Sequence, residues 1–280
     1  MGRRSTRDKK KKTKHSMAER ADPHRLYQES VQCVEAEIDF VDETFHSLRG
    51  RRAKRLREDF CGTANTSCEW IRRRGSNYAY GVDIDESVLE WGKKHNLKGL
   101  DDRKDNIEFI HGDVRSGTVT NLDIVLAMNF SYWLFQDRQT LREYFETVRA
   151  SLSPGGIFFL DAYGGYDCIR VTKDRHKYDS FTYIWDQAAF DPITHTMQCH
   201  IHFRFPDGSR LDRAFSYEWR LWGLPELTEL LSEAGFGPVT IYWQGTDEET
   251  GEADGIFEPA TQGEPDPAWI AYIVAEGPTE

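Results

Sequence analysis

The chain has no run of about 18 uninterrupted apolar residues, the length a membrane-crossing helix needs, and no apolar stretch near its start of the kind a secretory leader carries. A cytoplasmic protein without a membrane partner is expected. Cysteine is scarce: Cys33, Cys61, Cys68, Cys168 and Cys199 are odd in number and lack the paired spacing of a zinc site or a small disulfide framework, so they read as reduced thiols. With 280 residues there is too little chain for three domains, yet apolar residues at 39% and charged ones at 30% leave room for a sizeable core.

Net positive charge is missing beyond the first twenty residues. Residues 1–20 hold nine Lys or Arg against Asp8 and Glu19, a net +7, so the overall −11 leaves −18 for the remainder. A body of that sign repels phosphate backbones, which argues against nucleic acid as a partner. The segment from Met1 to about Arg20, with its run Lys9 to Lys12, has no apolar periodicity and is expected to be a disordered basic tail. Gly2 and Thr6 fit the loose myristoylation pattern, and the basic run fits a nuclear-import or nucleic-acid arm, but a solubilising tail is the plainer reading. Residues 21–280 then form the folded domain.

What is present is an alternation of short apolar runs with helical patterns. Leu26, Val31, Val34, Ile38, Val41 and Phe45 recur at threes and fours, which predicts one helix from Leu26 to about His46. Ala79–Ile84, Ile107–Ile110, Leu122–Phe130 and Ile157–Ala162 read as strands, with helices near Thr66–Arg74, Ser87–His95 and Arg138–Leu152 between them. That order implies an α/β fold with a parallel sheet covered on both faces. From residue 165 to about 222 the pattern changes: Phe181–Gln187, Thr194–Phe205 and Arg210–Trp222 follow one another without a helix, and Pro206-Asp207-Gly208-Ser209 supplies a turn, so an antiparallel insertion is expected. A helix over Leu224–Ala234 closing at Gly235 and strands at Val239–Trp243 and Trp269–Ala275 complete the chain; Gln244–Ala268, with eight acidic residues and no basic one, reads as a solvated loop.

Ligands of an open α/β sheet bind beyond the carboxyl ends of its strands. The first such loop, Leu56 to Ala64, pairs a small-residue turn that lets backbone N–H groups approach a ligand with Glu58, an acceptor for a cation or hydroxyl. In the second, Asp83 can hold both hydroxyls of a ribose; in the third, Asp113 suits an adenine amino group. Asp85, ahead of the Ser87–His95 helix, reads better as a helix cap, and Cys61, with no base nearby in sequence, reads as packing.

These loops together resemble the class I S-adenosylmethionine-dependent methyltransferases over roughly Arg55 to Ala275. Arg57-Glu58-Asp59-Phe60-Cys61-Gly62-Thr63-Ala64 looks like that family's first motif, an acid followed by three alternate glycines, with Phe60 and Ala64 in place of the outer two and Gly62 retained. Asp83 matches the ribose acid, Asp113 the adenine-side acid, and Leu152-Ser153-Pro154-Gly155-Gly156 the turn before the fifth strand. Dinucleotide dehydrogenases share the ribose acid but need a triple-glycine turn for pyrophosphate, absent here. The resemblance implies a doubly wound, seven-stranded, mainly parallel Rossmann-like sheet whose last strand is antiparallel. It implies S-adenosylmethionine as cofactor, bound through Glu58, Gly62, Asp83, Ile84, Asp113, Val114, Asn129 and Phe130.

The acceptor is expected at the loop Asn129 to Trp133, so Tyr132 and Trp133 are candidate acceptor contacts; the Asn/Asp-Pro-Pro-aromatic signature of nucleobase amino methyltransferases is missing there. The insertion resembles the lid of small-molecule methyltransferases, which makes Trp219 a candidate, and Tyr27 resembles the aromatic that covers the cofactor in relatives. His200 and His202 share a strand face, but two histidines without a third ligand do not make a metal site. The expected activity is methyl transfer to a small molecule. An RNA or protein methyltransferase docking through the tail, and a catalytically silent cofactor-binding protein, are the alternatives. Accepting atom, general base and oligomeric state are not legible in the sequence.

Overall fold

The computed structural model describes residues 15–247, 249 and 253–278; the first fourteen residues of the expected tail lie outside them. Residues 15–20 do not continue that tail. Ser16 caps a one-turn helix, α1 (Met17–Arg20), and Glu19 reaches back to the Ser16 amide at 2.8 Å, a capping box. The Met17 and Ala18 amides donate to Asp207 Oδ2 and Ser209 Oγ of the turn Pro206-Asp207-Gly208-Ser209, so this short segment is tied down by capping and side-chain acceptors rather than by apolar periodicity.

The helix predicted over Leu26–His46 is two helices, α2 (Pro23–Ser30) and α3 (Val34–Arg49), broken at Val31–Cys33. Their apolar faces serve different partners. Leu26 and Tyr27 pack on Phe181, Phe203 and Phe215 of the insertion, whereas Ile38, Val41 and Phe45 pack on the main sheet, so one straight stripe cannot satisfy both.

Along the chain follow β1 (Arg55–Asp59), α4 (Asn65–Arg73), β2 (Tyr78–Asp83), α5 (Glu86–His95), β3 (Ile107–His111), β4 (Leu122–Ala127), α6 (Arg138–Ser151) and β5 (Leu152–Gly164). Next come β6 (Thr172–Lys177), β7 (Thr182–Phe190), β8 (Thr196–Arg204), β9 (Arg210–Arg220), α7 (Leu224–Glu233), β10 (Val239–Thr246), β11 (Ala253–Ala260) and β12 (Trp269–Glu276). The main sheet runs β11-β10-β12-β5-β4-β1-β2-β3; β3, β2, β1, β4 and β5 are parallel, and β12 enters antiparallel to β5. On one face α3, α4 and α5 bury Ile38, Phe45, Trp70 and Leu89; on the other, α6 and α7 bury Tyr144, Phe145, Leu227 and Leu231. This is the doubly wound arrangement the sequence predicts.

The sheet has eight strands rather than seven. Within Gln244–Ala268, expected to be a loop, β11 pairs antiparallel with β10. Phe257 is its anchor, stacked on Tyr272 at 4.1 Å, while most of its other side chains are exposed, so no alternating apolar pattern announces it. The insertion forms a second sheet, β6-β7-β8-β9. Its edge strand β6, Thr-Lys-Asp-Arg-His-Lys, is exposed and charged, as suits an unpaired edge, and for that reason gives no strand signal in the sequence. No helix among the described residues is long and apolar enough to cross a membrane.

Candidate active site

The turn leaving β1 decides the site. Arg57 and Asp59 point to one face of the sheet, where Arg57 Nε meets Asp59 Oδ1 at 2.8 Å and the Tyr144 hydroxyl donates to Asp59 Oδ2 at 2.8 Å. Glu58 points to the other, where its Oε2 accepts from the Ser67 amide at 2.8 Å and the Ser67 hydroxyl at 2.6 Å. Burial pushes the Glu58 carboxyl up to about 7 despite those donors.

Beyond Asp59 the backbone enters the left-handed region at alternate residues: Phe60 at φ 57°, Gly62 at 53° and Ala64 at 54°. These are the three glycine positions of the motif the sequence resembles. The conformation is kept although two of the glycines are not, at a strain of about 1–2 kcal/mol for each non-glycine residue. Close packing enforces it. The Cys61 amide donates to the Val82 carbonyl at 3.0 Å, and β2 passes so near that a Cβ on Gly81 would stand 3.0 Å from Cys61 Sγ and 3.2 Å from the Ala64 Cβ. Helix α5 crosses closer still: a Cβ on Gly92 would lie 2.4 Å from the Thr63 carbonyl oxygen.

Asp83, at the end of β2, accepts from the Gly62 amide at 2.7 Å through Oδ2 and from the Asp85 amide at 2.9 Å through Oδ1, so it joins the first two loops. Asp85 caps α5 through the Ser87 and Val88 amides, as its position in the sequence suggests. After β4, Asn129 and Phe130 are both left-handed at φ 57°, and their amides donate to the two oxygens of Asp161, each at 2.8 Å. Asp161 is buried, which pushes its carboxyl up to about 7. Helix α2 covers the opening: Gln28 Nε2 donates to Thr63 Oγ1 at 2.7 Å, and the Trp91 indole N–H to Asp22 Oδ2 at 2.9 Å.

Two cavities result. The larger, about 530 Å³, lies at the carboxyl ends of β1, β2 and β4, between α2 and the insertion. Glu58, Asp59, Asp83, Asp85 and Glu218 line it, no Lys or Arg does, and its one histidine, His24, is held below the usual imidazole range by burial. The smaller, about 370 Å³, lies under the inner face of the second sheet and shares Tyr27, Asn129, Tyr217 and Trp219 with the first.

Of the residues singled out in the sequence, Tyr27, Glu58, Gly62, Asp83, Ile84, Asn129 and Trp219 line the larger cavity. Ile84 sits there with 72% of its surface open, an apolar side chain with no protein cover. Phe130 lines the smaller one. Asp113 and Val114 line neither. Asp113 turns away to grip the Arg115 Nε with both oxygens, at 3.0 and 3.1 Å, and to cap the short 3-10 turn Val114–Ser116, while Val114 enters the core. Tyr132 and Trp133 are also corrections, since the 3-10 turn Ser131–Leu134 folds both inward to full burial. The Tyr132 hydroxyl donates to the Asp161 carbonyl at 2.7 Å, and Trp133 stacks on Tyr163 at 4.9 Å. Asp161 and Tyr217 are absent from the sequence-based set; the signal for Asp161 was a lone carboxylate in the otherwise apolar strand Ile157–Ala162.

Residues 60–156 match the family model described as a methyltransferase domain. A S-adenosylmethionine-dependent methyltransferase from Clostridium acetobutylicum superposes with a TM-score of 0.65 at 16% identity, over 91% of this chain and 97% of that one. An amino pentose methyltransferase of calicheamicin biosynthesis from Micromonospora echinaspora, solved with S-adenosylmethionine bound, gives 0.64 at 16% identity, over 90% and 95%. A sugar N-methyltransferase from a Streptoalloteichus species gives 0.62 at 14% identity, over 99% and 98%. No curated protein matches. The chain therefore has the fold of these S-adenosylmethionine-dependent methyltransferases, and its residues 60–156 match a methyltransferase domain.

Proposed function

We propose that the protein transfers the sulfonium methyl group of S-adenosylmethionine to a small-molecule acceptor, with the cofactor in the larger cavity and the acceptor in the smaller. The observation that carries this reading is the pairing of an acidic cavity without Lys or Arg with a second, aromatic cavity that meets it at Asn129. The cofactor supplies an activated methyl on a cationic sulfur. Glu58 and Asp83 would hold its positive and hydroxyl-bearing parts, the apolar face of Ile84 would meet the base, and Gly62 would allow close backbone approach. Asn129 and Phe130, fixed by Asp161, border the passage between cavities. Because in-line transfer needs chiefly alignment and exclusion of water, positioning accounts for most of the barrier reduction, up to about 7–11 kcal/mol.

A small acceptor is supported by the cavity of about 370 Å³ under the second sheet, space for a sugar-sized molecule, and by the absence of Lys and Arg from its lining. The sugar and amino pentose methyltransferases of like fold point the same way. All five cysteines are free, which fits a reducing cytoplasm. The test is calorimetry with S-adenosylmethionine and with NAD. The first is expected to bind and the second not; preference for NAD would overturn the assignment.

Proton linkage gives a second expected result. Glu37, Glu58 and Asp161 are each pushed up to about 7 by burial, above the unfolded carboxyl range. The folded, unliganded protein therefore holds more protons than the unfolded chain between about pH 4.5 and 7, and its stability falls as pH rises through that window. Binding of a cation favours the ionised carboxylates and reverses the trend. Affinity for S-adenosylmethionine should rise from about pH 6 to pH 8, with protons released on binding near neutrality. Titrations in buffers of different ionisation enthalpy read this release; its absence would mean that Glu58 stays protonated beside the ligand.

A further inference from the structure

Taken as the acceptor site of the proposed function, a reading on which this inference rests, the smaller cavity has a composition that specifies more than size. One wall is a set of rings on the inner face of the second sheet. Tyr217 and Trp219 of β9 stack at 4.5 Å and 25°, and Trp185 of β7 lies 6.2 and 6.1 Å from them. Phe130 and Tyr163 meet edge to face at 4.7 Å, and Phe130 meets Trp219 edge to face at 6.3 Å. Among its lining residues the charged ones are Asp167 and Asp174; no Lys, Arg or His is present. Asp167 already holds Arg170 at 2.8 Å, whereas Asp174, exposed on β6, has no ion-pair partner among the described residues.

Aromatic faces present negative potential, and with a carboxylate beside them they attract cations and leave anions unpaired. We propose that the acceptor is an amine on a compact apolar body, selected by the ring wall of Trp185, Tyr217 and Trp219 and by Asp174 through the positive charge its nitrogen gains on methylation. In the step itself the amine lone pair forms the new N–C bond while the C–S bonding pair stays on sulfur. The sulfonium becomes a neutral thioether, the charge passes to nitrogen, and any proton on that nitrogen leaves afterwards to water. The charge thus moves from the acidic cavity into the aromatic one, where rings and a carboxylate meet it as it forms.

A hydroxyl acceptor would make a different demand. It must lose its proton as it attacks, which needs a base beside it. The tyrosines here are poor candidates, since burial pushes Tyr27 up to about 12 and Tyr217 well above the usual phenol range; Asp167 is occupied by Arg170, which leaves Asp174, exposed to water on β6, as the one unpaired carboxylate of the lining. A neutral amine attacks without a base.

The test uses the full-length protein saturated with S-adenosylhomocysteine, titrated with choline and with 3,3-dimethylbutan-1-ol, which has the same shape without the charge. Choline should bind about ten-fold more tightly than its carbon isostere. Asp174→Asn should reduce the choline affinity about three-fold or more while leaving that of the isostere in place. Equal binding of the two probes, or tighter binding of the anion 3,3-dimethylbutanoate, overturns the amine assignment. Cofactor affinity is measured first on the same sample. If S-adenosylmethionine does not bind, both readings fall; if it binds and choline is not preferred, the amine inference alone falls.

Discussion

Asp83→Ala is expected to lower the affinity for S-adenosylmethionine about 100-fold or more. Two contributions combine. In the unliganded protein the carboxylate accepts charge-assisted hydrogen bonds from the Gly62 and Asp85 amides, so it fixes the relative position of the two loops that form the floor of the larger cavity. Each such bond is worth about 1.5–3 kcal/mol, and losing even part of both frees the Gly62 turn from the end of β2. The same side chain faces the cavity where the ribose hydroxyls would sit, so those contacts vanish as well. A combined loss near 2.7 kcal/mol is about 100-fold in dissociation constant. Because Asp83 is not fully buried, the fold should survive, and far-UV circular dichroism should be unchanged. Asp83→Asn keeps acceptor capacity without the charge and should fall between wild type and alanine. An affinity within three-fold of wild type for the alanine variant would mean that the nucleoside lies elsewhere.

The order of strands and helices was legible because each element repeats one hydrophobic period over its length, and the parallel core needs no more than that. What escaped has physical causes. The break between α2 and α3 follows from two packing partners, Phe215 and the main sheet, which a single-chain periodicity does not distinguish. Strand β11 is held by main-chain pairing and by one aromatic side chain, Phe257, which meets Tyr272 and Phe40, and neither leaves an alternating pattern. At the site, motif order pointed to Glu58, Gly62 and Asp83, which the strand ends bring together in the lining of one cavity. Asp113, which motif order assigned to the adenine side, is held here by its neighbour Arg115, a local pairing that spacing alone does not reveal. Motif order also took Tyr132 and Trp133 for acceptor contacts, because the left-handed pair Asn129–Phe130 that turns them inward is imposed from β5 by Asp161. Conversely, Phe60 and Ala64 looked like an eroded motif, yet the backbone there keeps the torsions that glycine would take.

The second large effect belongs to stability. Arg57 and Asp59 are almost fully withdrawn from water, with 2% and 0% of their side-chain surfaces exposed, and they answer one another at 2.8 Å with Tyr144 as third partner. Desolvation pushes the Asp59 carboxyl up, against the pull of Arg57 and the Tyr144 hydroxyl, so the pair persists only while complete. Asp59→Ala leaves a guanidinium buried in the core beneath α6 without its counter-charge, which typically costs about 3–5 kcal/mol. For a chain of this size that corresponds to a fall in melting temperature of about 10 °C. Arg57→Ala should be equally harmful, since it strands the carboxylate instead. The double variant Arg57→Met with Asp59→Leu should recover most of the loss, because a buried pair replaced by apolar side chains of similar volume is often neutral or stabilising. Thermal unfolding of the three variants separates this account from mere crowding at the turn: if the double variant is as unstable as the singles, the loss comes from disturbed packing and not from an unpaired charge. Asp59 lies between Glu58 and the left-handed Phe60, so the single variant should also weaken cofactor binding. Asp83→Ala should weaken binding with a smaller fall in melting temperature than Asp59→Ala, because its hydrogen bonds join two loops at the edge of the cavity rather than neutralising a buried charge. The two substitutions therefore divide the work of neighbouring strand ends, with Asp59 of β1 holding the fold and Asp83 of β2 holding the ligand.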